Sequence, residues 1–105
     1  MNEVALLWVT FADAEEAERI AETVLAEQLA ACVNILAPSA SIYRWQGKVE
    51  RAAEVPALFK TSPVRARRLR DRIADLHSYD LPAIETWLAQ ATPIIAAWVT
   101  GETST

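Results

Sequence analysis

The sequence predicts an α+β sandwich in which helices cover one face of an antiparallel sheet. Three observations carry that prediction. Residues 41–60 alternate in polarity before and after Gly47, one of only two glycines, which is the pattern of a β-hairpin with a short glycine-bearing turn. Val4-Ala5-Leu6-Leu7-Trp8-Val9 is a continuous apolar run suited to a central strand covered on both faces. Amphipathic segments on either side of the hairpin complete the order β-α-β-β-α-β, followed by a short terminal helix. Two βαβ halves with right-handed crossovers make a ferredoxin-like sandwich with strand order 4-1-3-2, which places the first and third strands centrally.

Taken in order, residues 10–13 end the first strand. Asp13 is placed as an N-cap, with Glu15 and Glu16 in the first turn, where the helix dipole favours anions. Ala17, Ile20, Ala21, Val24, Leu25 and Leu29 recur at helical spacing, while Glu15, Glu18, Arg19 and Glu22 fall elsewhere on the wheel. This predicts an amphipathic helix over residues 14–30. Val33-Asn34-Ile35-Leu36 restarts extended structure, and Pro38 and Ser39 permit a bend or bulge before the first arm of the hairpin. Each arm runs roughly 12 residues against a typical strand of about 5–6. The return arm contains Pro56, which removes a ladder donor, so a local irregularity is expected there. Ser62 as N-cap and Pro63 at the first helical position open a second helix over residues 63–77. Its apolar stripe is Ala66, Leu69, Ile73 and Leu76, and arginines surround the stripe. His77-Ser78-Tyr79-Asp80-Leu81-Pro82 breaks that helix, residues 84–88 form a short strand, and Thr92-Pro93 opens a third helix carrying Ile94, Ile95 and Trp98. Residues 101–105 are expected to fray.

The length fits one domain, residues 1–105. With 52% hydrophobic and 23% charged residues, the composition is that of a globular chain and not a disordered one. A net charge of −4 opposes non-specific binding to nucleic acid and to anionic lipid. Asp71 and Asp75 interrupt the arginines of the second helix and no reading motif is present, so no nucleic-acid partner is expected. Cys32 is the only cysteine; it forms no internal disulfide and is expected to be buried as a small hydrophobe. No stretch reaches about 18 apolar residues, and the N-terminal apolar run is too short for a signal-peptide core, so no membrane span and a cytoplasmic location are expected. Nucleophile elbow, phosphate loop and paired-cysteine metal motif are all absent, and the carboxylates of the first helix are spread around it, so an enzyme is not expected.

Four segments carry a family resemblance. Leu29-Ala30-Ala31-Cys32-Val33-Asn34, Ser41-Ile42-Tyr43-Arg44-Trp45-Gln46-Gly47-Lys48, Lys60-Thr61 and His77-Ser78-Tyr79-Asp80-Leu81-Pro82 resemble the signature segments of the CutA family of divalent-cation-tolerance proteins, in register over nearly the whole chain. The resemblance implies a ferredoxin-like fold and a homotrimer in which the long hairpin pairs with the next subunit. It also implies a link to copper and other divalent metals, and an architectural likeness to P-II signalling proteins. No reaction comes with it, and no metal is required for the fold. The chain departs from the family pattern at Gln46, Ser78 and Ala83. Where some bacterial members carry a metal-linked cysteine and the first of two histidines, this chain has Val9 and Leu76.

Of that implied copper site only His77 remains. One imidazole is a weak site for Cu or Zn, which take three or four ligands; Asp75, Asp80, Glu85 or a neighbouring subunit would have to complete the shell. The plainer role for His77 is a histidine at a helix C-terminus, favoured by the dipole. Alternation puts Tyr43 and Trp45 on one face of the hairpin and Arg44 on the other. Aromatics and arginine anchor interfaces, so these residues and Lys48 read first as a subunit seam. Lys60, Tyr79 and Asp80 are expected to line a pocket between subunits, with Glu50 and Glu54 as acidic partners or metal ligands of the adjoining hairpin. The alternative is a P-II-like trimeric sensor or scaffold that binds an anionic small molecule through Arg44, Lys48 and Lys60, with no physiological metal role.

Overall fold

A computed structural model describes residues 2–104. The elements follow the predicted order: β1 (Glu3–Phe11), α1 (Ala14–Ala26), β2 (Cys32–Ile35), β3 (Ser39–Trp45), β4 (Lys48–Thr61), a 3-10 turn (Pro63–Arg65), α2 (Ala66–Leu76), β5 (Ile84–Gln90) and α3 (Pro93–Glu102). All pairings are antiparallel, in the order β2-β4-β1-β5, with β3 continuing the pairing along β4. The predicted second strand is therefore two strands, β2 and β3, and the predicted central strands β1 and β4 are central.

The core lies between one face of the sheet and helices α1 and α2. Leu7, Val9 and Phe11 of β1 and Val55, Ala57 and Phe59 of β4 point to that face and pack with Ile20, Val24, Leu69 and Ile73. Alternation sends Leu6, Trp8 and Thr10 of β1, Leu58 and Lys60 of β4, and Glu85 and Trp87 of β5 to the opposite face, where each keeps access to solvent. Two aromatic rings and two leucines thus lie partly accessible on the sheet face opposite α1 and α2, the face on which Val4 and Pro56 are buried.

Five expectations change in detail. α1 ends at Ala26, because Gln28 turns into the left-handed region (φ 60°) and the Gln28 and Leu29 amides bond back to the Leu25 and Val24 carbonyls. That is a Schellman stop with glutamine at a position where glycine is usual. Pro56 sits in an unbroken register with Thr10, so β4 itself is regular. The irregularity falls on the facing chain: Ile35 pairs with Ala57 but Ser39 pairs with Glu54, so residues 36–38 oppose only Pro56 and Val55. The Leu36 amide donates to the Pro56 carbonyl, and only the return bond, which would need a proline N–H, is forfeited. Ser62 makes no side-chain cap; its hydroxyl is hydrogen-bonded to that of Thr103. Residues 101–104 are held and not frayed: Thr103 is buried, bonds to Ser62 and Val99, and gives its carbonyl to Arg65; Thr105 lies outside the described residues. Cys32 is half-exposed, because its register opposite Lys60 puts it on the face opposite α1 and α2.

Candidate functional site

The hairpin of β3 and β4 closes through Gln46 and Gly47, with φ 51° and 81°. Two successive left-handed residues between paired Trp45 and Lys48 make the tight turn whose twist matches that of the strands. Beyond Val55 the ribbon has no third strand, and it stretches the molecule to 44 × 24 × 22 Å. Tyr43 faces Glu50 and Trp45 faces Lys48 on one side of the ribbon, while Ile42, Arg44, Val49 and Arg51 lie on the other. Trp45, Ile42 and Val49 are 49%, 58% and 66% exposed. Lys60 lies at the far end of the same strand, roughly 40 Å from Lys48 at strand rise. Within one chain the hairpin tip and Lys60 therefore cannot share a pocket.

The structure does bring together a second group, at the mouth of the sheet where α2 ends. His77 is the residue after α2, and its side chain is fully buried (0% exposed), stacked on Phe11 at 4.8 Å and flanked by Tyr79 at 4.7 Å. Its Nε2 lies 2.9 Å from the Thr10 carbonyl oxygen, and the Tyr79 amide donates to its Nδ1 at 3.1 Å. The ring thus leaves the carbonyls of α2, where the dipole argument would have put it. Tyr79 Oη donates to Glu54 Oε2 at 2.8 Å, tying the loop after α2 to the base of the hairpin. Burial first, then that hydrogen bond and the Glu54 charge, push the Tyr79 phenol up to about 12.

Glu16 joins the group from α1. It is buried; Oε1 accepts from the Ala12 amide at 3.3 Å and Oε2 from the Ser78 amide at 2.7 Å, with His77 Nδ1 3.8 Å away. Burial works to raise its carboxyl, but the hydrogen bonds from Ser78 and Ala12 outweigh it and hold the group below its ordinary value. Sequence reasoning placed Glu16 only as a first-turn anion. The signal for more was its position four residues before Ile20, on the edge of the buried stripe. Asp80, by contrast, is exposed, as are Asp75 and Glu85.

The family resemblance implies a divalent cation, and His77 does not fit one. A carbonyl oxygen only accepts and an amide only donates, so these contacts require Nε2–H and a lone pair on Nδ1. Neither nitrogen is left to coordinate. Among the described residues no three His, Cys, Asp or Glu side chains gather in a group that could hold a metal ion. Nor is any helix among them long and apolar enough to cross a membrane.

Comparison with known proteins agrees with the architecture. The family model described as CutA1 divalent ion tolerance protein matches residues 5–102. The divalent-cation tolerance protein CutA of Pyrococcus horikoshii is 43% identical over 79 residues, 75% of this chain and 76% of the relative. That of Thermus thermophilus is 43% identical over 84 residues, 80% of each. Among solved structures, CutA1 from Ehrlichia chaffeensis superposes with a TM-score of 0.93 at 30% identity, over 100% of this chain and 99% of that one. The Archaeoglobus fulgidus protein, described as a periplasmic divalent cation tolerance protein, superposes at 0.91 with 33% identity, over 96% and 99%. With the family model spanning nearly the whole chain and the ferredoxin-like sheet matched end to end, the chain belongs to the CutA1 family of divalent ion tolerance proteins.

Proposed function

We propose that this chain works as a non-enzymatic homotrimer of divalent-cation response, which takes a cation such as Cu or Zn, or a small ligand, in clefts between subunits. The observation that carries the reading is a matched pair of surfaces: a ribbon that projects past its own sheet, and a sheet face opposite α1 and α2 on which Leu6, Trp8, Leu58 and Trp87 keep access to solvent. Laying the ribbon of one copy against the sheet of the next would bury both. It would also bring Tyr43, Arg44, Trp45, Lys48 and Glu50 of one subunit near Lys60, Tyr79 and Asp80 of another; within one chain Tyr43 already lies within electrostatic reach of Tyr79, but the roughly 40 Å between Lys48 and Lys60 keeps those two apart. A cytoplasmic location remains part of the same proposal.

Sedimentation equilibrium at micromolar concentration tests the assembly, with a trimer expected; a monomer would remove the cleft and the function with it. Calorimetric titration of the metal-stripped trimer with Cu(II) and Zn(II) tests the ligand. Half-buried Lys60 on the same sheet face favours one second reading, a P-II-like sensor or scaffold for an anionic molecule. Thermal stabilisation by phosphate or nucleotides, without any by the metals, would decide for that reading.

A further inference from the structure

Thr10 is the first residue of β1 beyond the reach of β5, whose pairing ends at Val9 with Ile84. The opposing Pro56 turns its carbonyl to Leu36, away from β1, so Thr10 and Pro56 form a pair without mutual hydrogen bonds. The Thr10 carbonyl therefore points to the side that β5 has already left. A carbonyl stranded at the end of a central strand needs a donor, and His77 Nε2 at 2.9 Å is the one present. On the other side of the ring, Nδ1 receives the Tyr79 amide, two residues further on, at 3.1 Å. The imidazole thus bridges two backbone groups that no strand or helix could otherwise join, and stacking on Phe11 fixes its plane.

We propose that His77 is a positioning latch and not a metal ligand: held as the Nε2–H tautomer, it caps the open end of β1 and sets the Tyr79 backbone so that the phenol meets Glu54 at the root of the hairpin. The latch joins three parts of the chain, the end of β1, the loop after α2 and the β4 arm, and Glu16 secures the adjoining Ser78 amide from α1. Whatever the cation binds in this chain, it is not this ring. The inference concerns a single chain and stands apart from the assembly proposed above.

The experiment separates the two ring nitrogens. His77→Asn keeps an acceptor near the Nδ1 position but loses the reach to Thr10, whereas His77→Gln keeps a donor near Nε2 but loses the acceptor for Tyr79. Hydrogen exchange at the Tyr79 amide is expected to quicken by about tenfold or more in His77→Gln, as for loss of one hydrogen bond, and to stay near wild type in His77→Asn. The wild-type ring nitrogens, followed by 15N NMR, are expected to show the Nε2–H pattern and to be unmoved by one equivalent of Zn(II). A ring signal that shifts to a metal-bound value would overturn the proposal. So would equal Tyr79 exchange in both variants, because a histidine that merely fills space would not distinguish them.

Discussion

At the scale of single residues, Tyr79 gives the clearest test of the cluster. Its hydroxyl donates to a carboxylate that sits on the hairpin, and its phenol is raised from 10.0 to about 12 by burial and by Glu54. A group whose folded value lies above its unfolded one contributes stability that is complete below the unfolded value and fades as the pH climbs through the folded value. The contribution of Tyr79 is thus expected to be full below pH 10.0 and lost towards about 12. Tyr79→Phe should cost about 1.5–3 kcal/mol at neutral pH, the usual loss for a hydrogen bond to a charged acceptor. Urea unfolding of both proteins from pH 8 upward checks this: the gap should close as the wild-type phenol ionises, and a gap that stays constant would mean the hydroxyl contributes only by packing. The sequence reading set Glu54 near Tyr79 only across a subunit boundary; the bond within one chain was hidden, because Tyr79 lies on the loop after α2, whose path no periodicity specifies. The burial of His77 was hidden for a related reason, since its partners are backbone groups, and those leave no mark in the side-chain pattern. Cys32 was misplaced because its exposure depends on which sheet face is covered, a property of the whole fold and not of its neighbours in sequence.

At the scale of elements, the sequence was most legible where one local rule was strong. The apolar run of β1, the Asp13 cap, which accepts from the Glu16 amide at 2.9 Å, and the Gly47 turn all stand where the pattern put them. Boundaries failed where the chain used an unusual residue for a usual job. The α1 helix stops through Gln28 in the left-handed region, and nothing in a glutamine announces a stop. The chain therefore bears a local conformational cost of about 1 kcal/mol that glycine would not incur. Gln28→Gly is expected to stabilise the protein by roughly 0.5–1 kcal/mol, less a little for the greater freedom of glycine in the unfolded chain. A raised denaturation midpoint with an unchanged denaturant slope is the predicted signature. A lowered midpoint would mean that the Gln28 side chain makes a contact worth more than the strain. Pro56 shows the complementary lesson: its missing donor faces the three-residue step between β2 and β3, so β4 carries it without a bend.

At the scale of the whole molecule, the question is what stabilises a ribbon that leaves its sheet. A two-stranded ribbon alone in water is marginal, and β3 with the first part of β4 rests on its own cross-strand pairs and on the Tyr79 anchor at its root. A chain of this length also buries a modest share of its surface, under about 70% of what the unfolded chain exposes. Both deficits would be met by the same association, and that makes stability and assembly one quantity. For a trimer that unfolds to separate chains, tenfold dilution removes roughly 2.7 kcal/mol per trimer by mass action, so the melting temperature should fall measurably at each step of dilution. Leu58→Glu is the matching variant. Leu58 is half-exposed on the sheet face opposite α1 and α2, between Trp8 and Asn34, so a carboxylate there is tolerable in a lone chain but would be buried without a partner at a seam. The variant is expected to sediment as a monomer, to melt at a temperature independent of concentration, and to show greater protease sensitivity over residues 39–54. Wild-type mass together with wild-type concentration dependence in Leu58→Glu would place the seam elsewhere and leave that face of the sheet unexplained.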